Sequence, residues 1–236
     1  MLVSRLAALG LAATLSFAMP VAGMGATCGN TAAGFEAWKA DFARTAQRAG
    51  VRQAGLNALA QSRYATGTIA ADRNQKSFKY SLEKFMQVRG ATTIVAQGKK
   101  HKARNAEFFA ALEKKYGVPA GLLIAIHGME TAFGNYMGNS QVVSSIVTLT
   151  YDCRRSEFFE PHAIGALKLV DQGAISTATQ GAKHGELGHT QFLPGNALEY
   201  GQDWNRDGRV DFYDMGDALA STAYFLRKKG WKPGRG

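Results

Sequence analysis

Several features that would define a function class are scarce or absent in this sequence. It has two cysteines among 236 residues, and two cysteines alone make a poor metal site. Only one apolar run is long, and it lies at the N-terminus, so the rest of the chain does not form a bundle of membrane helices. No repeat, low-complexity run or Pro/Ser-rich linker divides the chain. The remaining composition, with 46% hydrophobic and 19% charged residues, excludes intrinsic disorder, collagen and coiled coil and predicts a soluble globular protein.

The N-terminal apolar run is typical of a secretory signal peptide. Arg5 supplies positive charge, residues 6–18 are apolar, and small residues follow Met19-Pro20. We therefore predict that residues 1–26 are a cleaved signal peptide, and that the mature protein is periplasmic without a stable membrane span. Two alternatives remain. An uncleaved anchor would have only 13 apolar residues, fewer than the roughly 20 that cross a bilayer. A lipoprotein modified at Cys28 would lack the usual aliphatic residue three positions earlier.

An exported chain with two cysteines favours one disulfide bond. Export places Cys28 and Cys153 in an oxidising compartment, where an even number of cysteines suggests pairing. The bond would tie the mature N-terminus to the middle of the chain. The alternative is a pair of buried free thiols.

Basic charge is concentrated in the first half of the mature chain. Residues 27–119 carry 16 Lys and Arg against 6 Asp and Glu, whereas residues 120–236 carry 11 against 12. The basic half suits an anionic polymer or a membrane surface, and a solvated helical face is the alternative. Because the chain is predicted to leave the cytoplasm, nucleic acid is not the expected partner.

Apolar periodicity predicts a mainly α-helical fold. Phe35, Trp38 and Phe42, for example, share one helical face. The segment Val142–Tyr151 is β-branched and apolar, which allows a strand, but we interpret it as a buried helix. Residues 173–190 are rich in Gly, Ser, Thr and His and are predicted to form a loop. Further helices are predicted over residues 56–61, 78–88, 103–116, 120–131, 161–172 and 218–229.

Glu130 is the carboxylate whose sequence context best suits acid–base catalysis. It follows the apolar Ile126 by four residues, so in a helix the two share one face. A carboxyl group desolvated there has a raised pKa and can act as a general acid. The alternative, which the spacing alone favours, is an exposed Glu at a helix edge or one paired with Arg154 or Arg155. The neighbouring His127 is interpreted as a packing histidine.

Residues 203–214 match the spacing of an EF-hand calcium loop. Oxygen-bearing side chains occupy positions 1, 3 and 5, Gly208 permits the sharp turn, and a carboxylate follows at position 12. That carboxylate is Asp214, which reaches less far than the usual Glu, so Asp217 could close the site instead. A plain turn and an N-cap of the last helix are the alternatives. The predicted calcium ligands are Asp203, Asn205, Asp207, Arg209, Asp214 and Asp217.

Several segments, in the same order along the chain, resemble the lytic murein transglycosylase B family. The resemblance covers about residues 35–233 and includes the calcium loop. The other segments that carry it are Tyr116–Pro119, Ala125–Gly134, Leu149–Arg155, Gly188–Pro194, Asp217–Ser221 and Gly230-Trp231.

The resemblance implies a lysozyme-like fold with a helical N-terminal extension. Residues 27–236 would form a single domain, with a basic helical part over residues 27–115 and a catalytic core over residues 116–236. In this family an acidic residue just before the last helix completes the calcium site, which favours Asp217 over Asp214. The calcium is expected to stabilise the protein rather than to take part in catalysis.

The resemblance also implies site residues. Glu130 would be the single catalytic carboxylate, and Gln191 and Arg155 would line the saccharide groove. Gly134 would leave room for close approach of a ligand to the backbone. The segment before Gln191 departs from the family pattern, since a usual Ser is Ala182 and two small residues are His184 and Glu186. Glu186 is expected to contact substrate or to pair with Arg155.

The function implied by the resemblance is that of a lytic transglycosylase. Such an enzyme cleaves the β-1,4 bond between N-acetylmuramic acid and N-acetylglucosamine in peptidoglycan, forms 1,6-anhydromuramic ends and needs no organic cofactor. Carboxylates of the peptidoglycan stem peptides would account for the basic half. The alternatives are a hydrolytic muramidase on the same scaffold, a non-catalytic peptidoglycan-binding module and an extracellular calcium-binding protein without a sugar ligand.

Overall fold

The described part of the protein is mostly α-helical, as the sequence predicts. The computed structural model describes residues 27–74 and 80–234, so the predicted signal peptide over residues 1–26 lies outside the described residues. The described helices surround one two-stranded antiparallel sheet. None of these helices combines the length and the apolar character that crossing a membrane would require.

The helices follow one another with short connections. The described residues form α1 (Phe35–Arg48), α2 (Gln53–Gln61), α3 (Thr66–Arg73), α4 (Leu82–Val88), α5 (Ala91–Arg104), α6 (Ala106–Tyr116), α7 (Ala120–Thr131), α8 (Val142–Tyr151), α9 (Ser156–Asp171), α10 (Pro194–Tyr200) and α11 (Met215–Lys228). Strand β1 (Ser140–Gln141) pairs with β2 (Gln180–Gly181). Short 3-10 turns cover Ala32–Gly34 and Gly188–Thr190.

A first apolar core joins the N-terminal helices to the centre of the chain. The predicted apolar face of α1 is buried, and the rings of Trp38 and Phe42 stack with their centroids 4.7 Å apart. Phe35 packs edge-on against Tyr151 at the end of α8, with centroids 5.4 Å apart. The same core includes residues of α2, α9 and α10. The N-terminal helices therefore share a core with the later part of the chain.

Helix α8 is buried along its whole length, which explains why its sequence is ambiguous. Every residue from Val142 to Tyr151 is buried, so the segment has no polar face that would reveal a helical period. Its hydroxyl groups have partners: Thr150 donates to the carbonyl of Ile146 at 2.9 Å, and Thr148 accepts from the backbone N–H of Ala65 at 2.9 Å. Paired in this way, hydroxyl groups are tolerated in a buried helix. The interpretation of this segment as a helix is confirmed.

A second apolar core surrounds α7, which crosses α5 at very short range. Gly98 on α5 and Gly128 on α7 permit this approach, because a Cβ on Gly98 would lie 2.7 Å from Ile124 Cγ2. A Cβ on Gly128 would lie 2.6 Å from Ile94 Cγ2. Residues of α6 and α11 complete the core around α7. Helix α7 is thus packed on several sides, and its bounds coincide with those predicted.

Several elements differ from the sequence-based expectation. Helices α3, α5 and α10 were not predicted as separate elements, and α9 begins at Ser156 rather than Pro161. The predicted helix over residues 78–88 starts in the segment 75–79, which lies outside the described residues. The predicted loop over residues 173–190 contains strand β2 and the whole of the second 3-10 turn. These elements are short or weakly periodic, and contacts with distant residues define them.

The predicted disulfide bond between Cys28 and Cys153 is present. The two Cα atoms are 5.0 Å apart and the residues are separated by 125 positions. Beside the bond, the backbone N–H of Gly29 donates to the carbonyl of Tyr151 at 3.0 Å. The N-terminal end of the described chain is therefore fixed to the turn after α8.

Removal of the disulfide should lower the stability of the protein. A crosslink that closes so long a loop restricts the unfolded chain strongly, so Cys28→Ser/Cys153→Ser should lose about 2 to 5 kcal/mol of unfolding free energy. Chemical denaturation followed by circular dichroism measures this change. Dithiothreitol should destabilise the wild type and leave the double variant unaffected. Equal stability of the oxidised wild type and the variant would contradict the prediction.

Candidate active site

The last turn of α7 carries Glu130 to the edge of a groove. Glu130 is exposed as a residue, whereas Leu123, two turns earlier on the same face, is fully buried. The groove has a volume of about 320 Å³. Its lining residues are Ile126, Glu130, Thr190, Gln191, Phe192, Leu193, Asn196, Thr222, Phe225 and Leu226. A mostly apolar groove with one carboxylate at its edge suits acid–base chemistry on a bound ligand.

The surroundings of Glu130 favour its protonated form. Burial of the carboxyl group raises its pKa, the charge of Arg89 lowers it, and the charge of Glu186 raises it again. Although the side chain is accessible from the groove, the protein around it removes enough water for burial to be the largest cause. Arg154 and Arg155 both pair with Asp72 instead. The predicted direction of the pKa shift of Glu130 thus agrees with these surroundings, although the residue itself lies exposed in the last turn of the helix.

Gln191 lines the same groove as Glu130 and lies in a left-handed turn. Its φ is 53°, and its side-chain amide donates to the carbonyl of Gly188 at 2.8 Å. Reciprocal backbone hydrogen bonds between Leu187 and Phe192 close this turn. The turn brings Gln191 and Glu130, which are far apart in sequence, to the same groove.

Gly134 lies beneath the groove rather than in its lining. Its φ is 89°, and its backbone N–H donates to the hydroxyl of Thr131 at 3.0 Å. A Cβ at this position would lie 2.5 Å from His189 Cε1. Glycine is therefore required here by its conformation and by the His189 ring, and the space expected for a ligand is filled by protein.

Arg155 is held in an ion cluster outside the groove around Glu130. Its guanidinium pairs with Asp72, which is 3% exposed and also binds Arg154 Nε at 3.2 Å. The same guanidinium lies 4.8 Å from the ring centre of Phe159. Arg155 lines a separate cavity of about 720 Å³ beside the disulfide.

Glu186 pairs with His184, so the expected pair with Arg155 is wrong. The backbone N–H of His184 donates to Glu186 Oε2 at 3.0 Å, and His184 Nδ1 lies 3.4 Å from Glu186 Oε1. The hydrogen bond to Glu186 raises the pKa of His184. Arg155 forms an ion pair with Asp72, so its guanidinium is not paired with Glu186. Next to this pair, Ala182 contributes its backbone N–H to the carbonyl of Glu186 at 3.0 Å.

In the predicted calcium loop, side-chain oxygens accept hydrogen bonds from backbone N–H groups of the same loop. The backbone N–H of Asp207 lies 3.2 Å from Asp203 Oδ1 and 2.9 Å from Asn205 Oδ1. Asp207 Oδ1 in turn accepts from the backbone N–H of Arg209 at 2.9 Å. Side chains at positions 1, 3 and 5 thus gather around the backbone of the loop, and they carry oxygen, the ligand type that calcium takes in proteins. Across the described ranges, no three His, Cys, Asp or Glu side chains form a preformed metal site.

Asp214 and Asp217 have different positions at the end of this loop. Asp214 caps α11 by accepting from the backbone N–H of Asp217 at 3.0 Å, so the cap of the last helix is Asp214. Asp217 is 1% exposed and accepts from the backbone N–H groups of Trp204 at 2.8 Å and Asp211 at 2.9 Å. Burial raises the pKa of Asp217. Its carboxylate therefore links the first part of the loop, at Trp204, to the later part, at Asp211.

Comparison with known proteins assigns the chain to a family. Residues 34–236 match the family described as Transglycosylase SLT domain. The chain belongs to the transglycosylase SLT domain family. The lytic transglycosylase resemblance seen in the sequence is thereby confirmed, as is the lysozyme-like helical fold.

Individual relatives of this transglycosylase domain support the assignment. Membrane-bound lytic murein transglycosylase B of Escherichia coli (strain K12) is 31% identical over 121 residues, which cover 50% of this chain and 34% of the relative. SltB3 from Pseudomonas aeruginosa, solved in complex with NAG-NAM-pentapeptide, has a TM-score of 0.78 at 33% identity and covers 85% of this chain. The alignment covers 55% of SltB3. The chain therefore spans about a third to a half of these relatives.

A more distant structure matches a larger share of the transglycosylase domain. Escherichia coli lytic transglycosylase Slt35 in complex with calcium has a TM-score of 0.71 and covers 93% of this chain and 71% of its own. At 20% identity, this match supports the fold alone.

Three interactions of the predicted site residues could not be predicted from the sequence. Arg89, at the end of α4, acts on the pKa of Glu130, and Asp72 pairs with Arg154 and Arg155 across the chain. His127 is buried as predicted, but it also contacts His189 with 2.9 Å between Nε2 and Nδ1. The sequence contains one signal for the contact between the two histidines, since each lies in a segment that resembles the family.

Charge changes around Glu130 should shift its pKa in opposite directions. Glu186→Gln removes a negative charge and should lower the pKa of Glu130, whereas Arg89→Gln removes a positive charge and should raise it. Carbon-detected NMR titration of the Glu130 carboxyl group measures both shifts. Glu157→Gln, at the start of α9, serves as the control and should leave the titration unchanged. An unchanged pKa in both test variants would show that neither charge acts on Glu130.

Proposed function

We propose that this protein is a lytic transglycosylase that cleaves the β-1,4 bond between N-acetylmuramic acid and N-acetylglucosamine in peptidoglycan. The observation that carries the proposal is Glu130, whose pKa is raised by burial, at the edge of a groove that also contains Gln191. Membership of the transglycosylase family supports this chemistry. The saccharide ligand of SltB3 supports peptidoglycan as the substrate class. The proposed location is the periplasm, after removal of residues 1–26.

Glu130 would act first as a general acid. In its protonated form, it would donate its proton to the glycosidic oxygen, so that the bond from C1 of N-acetylmuramic acid breaks. The acetamido oxygen of the same sugar would attack C1 and stabilise the positive charge that develops there. Substrate thereby supplies the group that a second carboxylate provides in most glycosidases.

Glu130 would then act as a general base. As a carboxylate, it would accept the proton of the C6 hydroxyl, and O6 would attack C1 while the acetamido oxygen leaves. The product is a 1,6-anhydro end, Glu130 is protonated again, and no water is consumed. Gln191 is proposed to orient the sugar within the same groove. Its backbone is held in a fixed left-handed turn, which suits a positioning group.

A hydrolytic muramidase is the second candidate, and Glu186 is the observation that favours it. The charge of Glu186 acts on Glu130, so a second carboxylate lies within electrostatic range of the first. Hydrolysis needs a carboxylate that activates water. However, Glu186 accepts hydrogen bonds from His184, which orients it within its own turn. Lysis therefore remains the preferred proposal.

We also propose that calcium binds the loop of residues 203–214 and stabilises the fold. Asp203, Asn205 and Asp207 would supply side-chain oxygens, and Arg209 would supply its carbonyl. The buried Asp217 suits the role of a closing carboxylate better than Asp214, since Asp214 already caps α11. A divalent cation would neutralise the acidic groups of this loop.

Replacement of the catalytic carboxylate should abolish cleavage. Purified peptidoglycan digested with the wild type should yield muropeptides one water lighter than hydrolytic products, and Glu130→Gln should yield none. Mass spectrometry of the digests measures this difference. Glu107→Gln, on the surface of α6, should cleave like the wild type. Reducing-end products from the wild type would instead establish a muramidase, and binding without products from either protein would indicate a non-catalytic module.

Calcium should raise the thermal and chemical stability of the protein. For a dissociation constant of about 0.1 to 1 mM, addition of about 10 mM calcium should add about 1.4 to 2.7 kcal/mol of unfolding free energy. Denaturation in calcium and in EDTA measures the difference, which Asp203→Asn/Asp207→Asn should abolish. Asp41→Asn on α1 should retain it. Identical melting curves of the wild type in calcium and EDTA would refute the calcium site.

A further inference from the structure

The chain adopts an unusual backbone conformation directly after Glu130. Ala132, Phe133 and Gly134 have φ values of 47°, 62° and 89°, which are all left-handed. In the same groove, Gln191 is also left-handed at 53°. For residues with side chains this conformation has a cost, and it persists only where neighbouring groups enforce it. Some part of the structure must therefore hold both turns.

His189 contacts both of these turns through its backbone. Its carbonyl accepts a hydrogen bond from the hydroxyl of Thr131 at 2.7 Å, and its backbone N–H donates to the carbonyl of Phe212 at 3.0 Å. The same Thr131 hydroxyl accepts from the backbone N–H of Gly134 at 3.0 Å. His189 thus connects the end of α7 to the segment that leads into Gln191.

The side chain of His189 has one consistent arrangement of protons. Its Nε2 lies 3.1 Å from the carbonyl oxygen of Tyr213, which can only accept, so Nε2 carries the proton and donates. In the neutral ring, Nδ1 then accepts, and its partner at 2.9 Å is His127 Nε2. His127 must therefore donate from Nε2. Burial lowers the pKa of His127 to about 3 and lowers that of His189 as well, which agrees with the neutral rings that this hydrogen-bond pattern requires.

The histidine pair lies beside the C-terminal half of α7, with His127 buried and His189 half-buried. His127 is 1% exposed and lies one turn before Glu130 on the same helix. The ring of Phe133 packs edge-on against His127, with centroids 5.4 Å apart. The His189 ring also occupies the space next to Gly134 that a Cβ would need. The pair thereby touches the helix before and after Glu130 without lining the groove itself.

We propose that His189, oriented by the hydrogen bond from His127, is a positioning residue for Glu130 and Gln191. It fixes the last turn of α7 relative to the turn over residues 188–191, and so sets the direction from which each side chain enters the groove. This inference rests on the proposed function, because it assigns a role in the same reaction. Neither histidine contacts the reacting atoms.

The inference is tested by a variant that removes the hydrogen-bond donor of His127 and keeps a side chain of similar size. His127→Leu leaves His189 Nδ1 without a donor, and a small displacement of a catalytic group lowers the rate by up to about 100-fold. We expect kcat for peptidoglycan cleavage to fall by about 10- to 100-fold, with an unchanged KM, in protein that is fully folded by circular dichroism. His127→Gln, whose side-chain N–H groups can replace the Nε2 donor, should restore most of kcat.

A matched control separates positioning from general stability. His162 on α9 is also buried, at 8% exposure, and burial lowers its pKa too. His162→Leu replaces a buried histidine away from the groove, and kcat at the assay temperature should stay at the wild-type value. A folded His127→Leu protein with wild-type kcat would overturn the inference, as would a loss of kcat in His127→Gln equal to that in His127→Leu.

An NMR measurement on the wild type tests the arrangement without activity. Long-range proton–nitrogen spectra should show both rings as neutral Nε2–H tautomers, with a hydrogen-bonded proton on His127 Nε2. An Nδ1–H tautomer of either ring would overturn the inference, even if His127→Leu fails to fold. If the tautomers are as expected and the wild type does not cleave peptidoglycan, the proposed function fails and the hydrogen-bonded pair stands.

Discussion

The fixed contact between the end of α7 and the turn before Gln191 is the constraint on which the groove depends. Glu130 lies in the last turn of α7, and a helix end is normally the least restrained part of a helix. Here, backbone hydrogen bonds from Ala132 to Gly128 and from Phe133 to His127 close the helix, and His189 holds it from outside. A carboxyl group with a raised pKa is useful only if its direction is equally well defined.

The N-terminal helices pack against the elements that carry the groove. Helix α5 supplies Ile94 and Gly98 to the back of α7, and α4 brings Arg89 into range of Glu130. Part of the basic half therefore packs against α7 and lowers the pKa of Glu130, so its positive charge has a local effect besides any long-range attraction to an anionic polymer. Asp72 extends this integration, because its ion pairs tie α3 to the turn that carries the disulfide.

The sequence predicts best where local signals suffice. Helix α7 has strong apolar character with Pro119 before it, and its bounds were predicted correctly, as were the pairing of the cysteines and the raised pKa of Glu130. Helices α3 and α5 were missed because their residues are largely polar or small and their partners lie on distant elements. One of the two expectations for Glu186, a pair with Arg155, differs from the structure for a related reason, since Arg155 pairs with Asp72 on α3, which is distant in sequence.

The charges around Glu130 bear directly on the choice between lysis and hydrolysis. A general acid that later acts as a base needs a pKa near the working pH, and burial and Glu186 both raise the pKa of Glu130 while Arg89 opposes them. If Glu186 served as a second catalytic base, it would need to face a water molecule on the sugar. Its carboxylate instead accepts the backbone N–H and lies beside the ring of His184, and this arrangement suits a fixed charge better than a proton acceptor. A fixed negative charge at Glu186 favours the protonated form of Glu130 that the proposed first step needs. In the proposed mechanism, the acetamido group and the C6 hydroxyl of the substrate then complete a reaction in which water takes no part.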